Sequence, residues 1–298
     1  LTGFGFNPDL TLWASRNRAS YSDTVAIDRL RGTTGTGGAA GGGLATNTTA
    51  AEYGNAVYQI SALGSNSVTF GSDSQYGFNN TSINSAILWT FGRAPSFFDE
   101  VCYTGTGVAT TVTHNLGAVP ELIIVKKRNT GGNDWYVYSQ PTGNQYATYL
   151  NLTYQGDSGS SVWNNTSPTS SVFSLGASGG INGSGSTFVA YLFATCAGVS
   201  KVGSYTGTGA LQTINCAFTT GARFVLIKRT DSTGDWYTYD SARGITSGND
   251  PYLFLNSTAA EVTGTNYVDS TAAGFQVTAA APAGLNAVGG TYIFLAIA

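Results

Sequence analysis

The amino-acid sequence predicts an all-β chain built as three tandem β-sandwich repeat units. Each is jelly-roll-like and about 100 residues long, a common size for one compact unit. Three observations carry the prediction. First, a stretch recurs: Tyr103 to Tyr138 and Tyr205 to Tyr239 each open on Y-T-G-T-G, run through an apolar strand ending in basic residues, and close on D-W-Y-x-Y. Tyr103 and Tyr205 are 102 residues apart, as are Lys126 and Lys228. Second, only 10% of the residues are charged, against roughly 25% in an average domain. With 40 Gly, 17 Tyr, 15 Phe and 5 Trp, such a chain has turns and buried cores rather than disorder. Third, each unit finishes on an aromatic and aliphatic run: Ser85 to Ala94, Ser186 to Thr195, and Gly290 to Ala298. Near-continuous apolar runs fit strands buried on both faces, between the sheets of a sandwich or between subunits.

The first unit, 1–97, begins at P-D-L-T-L-W-A-S-R-N (Pro8 to Asn17), which aligns with P-E-L-I-I-V-K-K-R-N (Pro120 to Asn129). It lacks the Y-T-G-T-G strand, so the chain is expected to start inside a unit. Leu10, Leu12 and Ala14 alternate with Thr11, Trp13 and Ser15, the period of a half-buried strand, and Val25 to Leu30 is its expected partner. A Gly-rich tract follows, an insertion at 33–43; with no strand before it, helix after it or G-K-[ST] lysine, it reads as a loop and not a phosphate cradle. Thr48 to Glu52 and its counterpart before Glu261 read as short helical turns. Pro95 to Glu100 reads as a connector, since proline denies a ladder hydrogen bond. The second unit, 98–199, has strands near Thr111 to His114, Leu122 to Lys127 and Trp135 to Ser139, and the third, 200–298, repeats them.

Composition excludes several functions. A net charge of −3 gives no basic surface for phosphate, so nucleic acid is not a partner. Cys102, Cys196 and Cys216 have no C-x-x-C spacing and read as small buried apolar residues. No apolar run reaches the roughly 20 residues of a membrane span, and no signal pattern opens the chain. With no Met at all, the chain is expected to begin after processing or to be part of a longer one.

No catalytic constellation assembles, and neither metal nor cofactor is expected. His114, the only histidine, has no identifiable partner. Asp99 and Glu100 are adjacent and on a strand would face opposite ways, unlike the paired carboxylates of glycoside cleavage. Asp231 and Asp235, with Asn129, Asn133 and Asp134 in the second unit, fit Asx turns better than a calcium loop. The triplets at Asn47, Asn80, Asn151 and Asn256 are assigned no glycan. The remaining candidates are the repeated aromatics Trp135, Tyr136, Tyr138, Trp236, Tyr237 and Tyr239, one face of which could be an aromatic binding platform. Their alternative role is a structural strand packed in every unit.

The succession of an apolar strand ending in K-x-R, a D-x-x-R-G segment (Asp28 to Gly32, Asp240 to Gly244) and L-x-x-N-[ST]-T-A-A-E (ending at Glu52 and Glu261) resembles the tandem repeats of tail-fibre and related appendage proteins of marine and cyanobacterial bacteriophages. The middle unit departs from it, with S-Q-P-T-G (Ser139 to Gly143) in place of D-x-x-R-G. The resemblance implies a non-enzymatic structural protein of the virion exterior, a homotrimer that contacts other virion proteins and attaches to a host-surface glycan or protein. The alternatives are a capsid decoration or fibre-shaft scaffold without a ligand, and a polysaccharide depolymerase.

Overall fold

The structure, a computed structural model, describes residues 1–17, 23–32, 42–53, 60–70 and 85–298. Most of the Gly-rich tract and Asn80 lie outside these residues. The first third of the chain forms β1 (Leu10–Ser15), β2 (Val25–Asp28), β3 (Leu44–Ala45), β4 (Ile60–Leu63), β5 (Val68–Phe70) and β6 (Ala86–Phe91). The middle third forms β7 (Phe98–Thr104), β8 (Thr110–Thr113), β9 (Leu122–Lys127), β10 (Tyr136–Ser139), β11 (Tyr146–Tyr149), β12 (Asp157–Ser158), α1 (Ser160–Trp163), β13 (Val172–Leu175), α2 (Gly179–Asn182) and β14 (Thr187–Phe193). The last third forms β15 (Ser200–Thr206), β16 (Gln212–Asn215), β17 (Phe224–Arg229), β18 (Trp236–Asp240), β19 (Leu253–Phe254), β20 (Val268–Thr271), β21 (Gly274–Val277), α3 (Ala283–Asn286) and β22 (Thr291–Ile297). The protein is all-β, and the pairings between these strands are antiparallel.

Three long sheets run β3-β2-β1-β6, β12-β11-β10-β9-β14-β7 and β15-β22-β17-β18-β19. Smaller sheets, β4-β5, β13-β8 and β16-β21-β20, complete the described set. Because side chains alternate across a strand, each long sheet has two faces to bury. On one face of the middle sheet Ile123, Val125, Phe188 and Ala190 pack with Val112, Phe173 and Leu175 of the small sheet β13-β8. In the last third Val225, Ile227 and Phe294 do the same with Ile214, Phe275 and Val277, and in the first Trp13, Val25 and Ile27 meet Ile60, Leu63 and Val68. This is sheet-on-sheet, β-sandwich packing.

The opposite faces meet one another. Leu10, Ala14 and Trp89 from the first third, Ile124, Trp135 and Phe193 from the middle and Leu226, Trp236 and Leu295 from the last form one continuous core. This explains the near-continuous apolar runs: their second face is covered by other parts of the same chain.

Three expectations are corrected. β1 is not half-buried, since Thr11 and Ser15 are as enclosed as Leu10; sandwich and shared core cover opposite faces. The segments before Glu52 and Glu261 are neither helix nor strand after a turn at Asn47 and Asn256, and the helical turns among the described residues, α1, α2 and α3, lie elsewhere. Thr48 Oγ1 and Ser257 Oγ accept the Ala50 and Ala259 N–H groups, a local bond that competes with helix. The connector ends early, because Phe98, Asp99 and Glu100 already belong to β7.

Candidate functional site

Polar side chains gather where the three thirds meet, and they do so with the same chemistry at corresponding places. The Asp of D-W-Y is the first. Asp134 Oδ1 accepts from Asn151 Nδ2 and Asp235 Oδ1 from Asn256 Nδ2, both at 2.8 Å, and Asn47 does the same for Asp23. The same Asn151 and Asn256 accept the Trp135 and Trp236 backbone N–H groups at 2.8 Å. These asparagines, given no role from the sequence, pin the start of each D-W-Y strand to the loop opposite.

The tryptophans then reach across. Trp135 Nε1 donates to the Ala45 carbonyl in the first third (2.9 Å), and Trp236 Nε1 to the Tyr149 carbonyl in the middle third (2.8 Å). Ala45 and Tyr149 hold the same register place, each on the short strand beside D-W-Y or its counterpart. The lysines follow the same rule. Lys126 Nζ bridges the carbonyls of Asn133 (2.7 Å) and Thr49 (3.3 Å), while Lys228 Nζ bridges Gly234 and Thr153. Both lysines are fully enclosed, and burial pulls each down to about 8 from the ordinary 10.5.

The two motifs of the resemblance meet here. In D-x-x-R-G, the Arg31 Nε donates to Asp28 Oδ2 with both side chains buried, and Arg243 Nε to Asp240 Oδ2 at 2.5 Å. A donor from the next third closes each pair: Tyr191 Oη on Asp28 (2.6 Å) and Trp89 Nε1 on Asp240 (3.0 Å). Glu52, at the end of Asn-Thr-Thr-Ala-Ala-Glu, lies 3.4 Å from Arg31 and 2.6 Å from Arg128 of the middle third. Glu261 lies 3.2 Å from Arg243 and 2.6 Å from Arg16 of the first third. The Glu52 N–H also donates to the Arg128 carbonyl and the Glu261 N–H to the Arg16 carbonyl, each at 2.8 Å. In the middle third Ser139 Oγ and Thr142 Oγ1 bond at 2.9 Å where the others carry Asp and Arg. The residue at the register place of Tyr191 and Trp89 is there Leu295, which donates nothing. First third holds middle, middle holds last, and last holds first. The interlock is cyclic.

This geometry places the candidate aromatics plainly. Trp135 and Trp236 are each 1% exposed, in the shared core. Tyr138, Tyr237 and Tyr239 are buried inside the sandwiches, and half-buried Tyr136 packs against the same cluster as Tyr138. The expected outward aromatic platform is therefore corrected: both faces of D-W-Y-x-Y are interior, because the second sheet covers the tyrosines.

The other candidates are also structural acceptors or donors. His114 Nε2 lies 3.1 Å from the Thr169 carbonyl and Nδ1 accepts the Leu116 N–H, a bond that Asn215 Oδ1 reproduces with Ala217 N–H. Burial lowers its pKa. Asp231 is held by Arg229 (2.9 Å) and by the Thr291 N–H, and the arginine bond pulls it down to about 2. Asp9 and Asp99 line one groove of about 520 Å³, but Asp9 takes Arg29 Nε (3.0 Å) and the Arg93 N–H (2.7 Å), and Asp99 takes the Asn115 N–H (2.7 Å). Glu100 is buried with neither carboxylate oxygen hydrogen-bonded. Among the described residues no three His, Cys, Asp or Glu side chains group as a metal site, and no helix is long and apolar enough to cross a membrane. Cys216 is buried in the last sandwich and Cys102 packs against the shared core.

Fold and interlock together define an all-β protein whose repeated polar motifs join its own sheets. The chain belongs to the family described as a domain of unknown function, DUF7483, whose profile matches residues 1–298. No curated protein and no solved structure matches it.

Proposed function

We propose that the chain is a structural protein of a bacteriophage particle, a rigid module of a tail fibre or other exterior appendage. In this reading residues 1–97, 98–199 and 200–298 are three β-sandwich repeat units arranged as an intrachain pseudo-trimer. The observation that carries it is the cyclic interlock, in which D-W-Y, D-x-x-R-G and the Asn-to-Glu loop are all spent on joining one third to the next. Motifs used in this way make a scaffold. Burial of Trp135 and Trp236 favours that role over binding of a glycan by these aromatics. Host attachment, where the module contributes to it, then falls to loops.

The resemblance implies a homotrimer, whereas the apolar strand faces that a trimer could bury between chains find cover within one chain. We therefore take one chain as the working unit. Light scattering giving three times the mass of one chain would restore the homotrimer. The functional test is immunogold labelling, with antibody against this chain, of purified particles of the phage that encodes it. Label on an exterior appendage is expected; unlabelled particles would remove the reading.

A further inference from the structure

Asp250 is followed by Pro251, the one Asp-Pro pair in the sequence. The dipeptide lies in the last third between two clamps. Before it Thr246 and Asn249 exchange backbone bonds, and after it Tyr252 does the same with Val262. Asn249 is exposed, whereas Asp250 is fully enclosed and Pro251 and Tyr252 are buried. The two carboxyl oxygens of Asp250 are used differently. Oδ2 accepts the N–H groups of Tyr267 (2.6 Å) and Val268 (2.8 Å) and so fixes the start of β20. Oδ1 is buried and has no hydrogen-bond partner. An unpaired buried polar atom is destabilising, and the anchoring of β20 accounts for Oδ2 alone. The carbonyl of the Asp250–Pro251 peptide bond accepts the hydroxyl of buried Thr265 at 2.7 Å.

The repeat does not require this arrangement. In the middle sheet Gln145 stands at the corresponding place, four residues before Tyr149 as Asp250 stands four before Phe254. Its carbonyl takes a main-chain N–H, from Gly159 at 2.8 Å, and the next residue is Tyr146 instead of proline. What the last third has in addition are the parts of an intramolecular acyl transfer. An aspartyl side chain reaches its own carbonyl carbon through a five-membered ring, so the reacting atoms are held together covalently. A hydroxyl donated to the carbonyl oxygen stabilises the charge that develops there. The proline nitrogen leaves as a secondary amine, a more basic group than the amine of another residue.

We propose that the folded chain cleaves itself at the Asp250–Pro251 bond. Oδ1 bonds the Asp250 carbonyl carbon while the bond from that carbon to the Pro251 nitrogen breaks. The carboxyl proton goes to the departing nitrogen, and a cyclic anhydride remains on Asp250. One water molecule then opens the anhydride to two carboxyl groups, so the sum is hydrolysis of one peptide bond with no oxidation or reduction. The two sides of the cut stay together, because β22 remains bonded to β15 and β17, and β21 to β16. This activity is independent of the particle in which the chain works.

The reaction needs the un-ionised carboxyl. Burial raises the Asp250 pKa above 3.8 and Asp269 on β20 adds to it, against the Val268 and Tyr267 N–H bonds and Thr265. The other titratable groups that interact with it are the hydroxyls of Tyr239 on β18 and of Tyr252, which stay neutral in acid. Cleavage should therefore be fastest in acid and fall away as pH rises through that raised pKa.

The test is incubation of the full chain at the lowest pH that leaves its circular dichroism unchanged, read by denaturing electrophoresis, intact mass and N-terminal sequencing. A fragment beginning at Pro251 is expected. It should form at least about tenfold faster than from the chain unfolded in urea at the same pH, where Thr265 no longer meets the carbonyl. Thr265→Val should bring the folded rate down to near the unfolded one. Pro251→Ala keeps the carboxyl and its N–H bonds but loses the basic leaving nitrogen, and it should slow cleavage likewise. No cleavage of the folded chain, a folded rate no greater than the unfolded one, or a folded rate indifferent to Thr265→Val overturns the proposal.

Discussion

Glu100 is the residue whose environment most contradicts its chemistry. It sits on β7 with both oxygens buried and unbonded, and its nearest cation, Arg93, is 3.9 Å away. Burial first, then the charge of Asp28, pushes its carboxyl up to about 9 from the ordinary 4.5. The folded chain thus keeps a proton that the unfolded chain releases. This contribution to stability is fully present below pH 4.5 and is lost as pH rises toward 9. Lys126 and Lys228 act oppositely, adding stability from about pH 8 upward, because the folded state sheds their protons first. Between pH 5 and 8 the difference in urea midpoint between the chain and Glu100→Gln isolates the glutamate, since His114 and the lysines cancel. The variant should gain on the parent steadily across that range; parallel curves would refute a protonated Glu100. From the sequence this residue belonged to a linker, because Pro95 marks a boundary three residues before the strand actually begins.

At the level of elements, the junctions between thirds offer an internal control. Two of them bury an Asp–Arg pair closed by a donor from the next third; the other uses Ser139 and Thr142 facing the place of Leu295. Removing one partner of a buried ion pair leaves an uncompensated charge, so Arg31→Met should cost about 3–5 kcal/mol. The triple variant Asp28→Ser, Arg31→Thr, Tyr191→Leu copies the third junction and removes charge and donor together, and it should recover most of that loss in a denaturant titration. A triple variant no more stable than Arg31→Met would show that the junctions are not interchangeable. The D-x-x-R-G and Asn-to-Glu motifs were legible as repeated signals, and so were the apolar strands that carry them. Their partners were not, because Tyr191 lies 163 residues from Asp28 and Glu261 lies 245 from Arg16. A period of two says that a face is buried and is silent on what buries it. For the same reason Tyr138 and Tyr239 could be read as a platform: the second sheet that encloses them joins a strand before them to strands well after them, β8 to β13 and β16 to β21 and β20.

For the whole molecule, the question is whether the thirds fold as one. Each long sheet gives one face to a sandwich and the other to the common core, so separating a third would expose Leu122, Ile124, Trp135, Val137 and Phe193 of the middle sheet together. A patch of that kind on a free domain drives association. Lys126, Glu52 and Arg16 would at the same time lose carbonyl or charged partners held by another third. The thirds are thus coupled by apolar area and by buried polar groups that neither side satisfies alone. Calorimetry of the intact chain should give one transition whose calorimetric and van't Hoff enthalpies agree. Three independent sandwiches would instead give a calorimetric enthalpy about threefold larger than the van't Hoff value. Residues 98–199 alone should bind a hydrophobic dye and aggregate, and co-expression with 1–97 and 200–298 should restore a soluble complex. A soluble, cooperatively folding middle segment would mean that the shared core is an interface between finished domains, not the centre around which the chain folds.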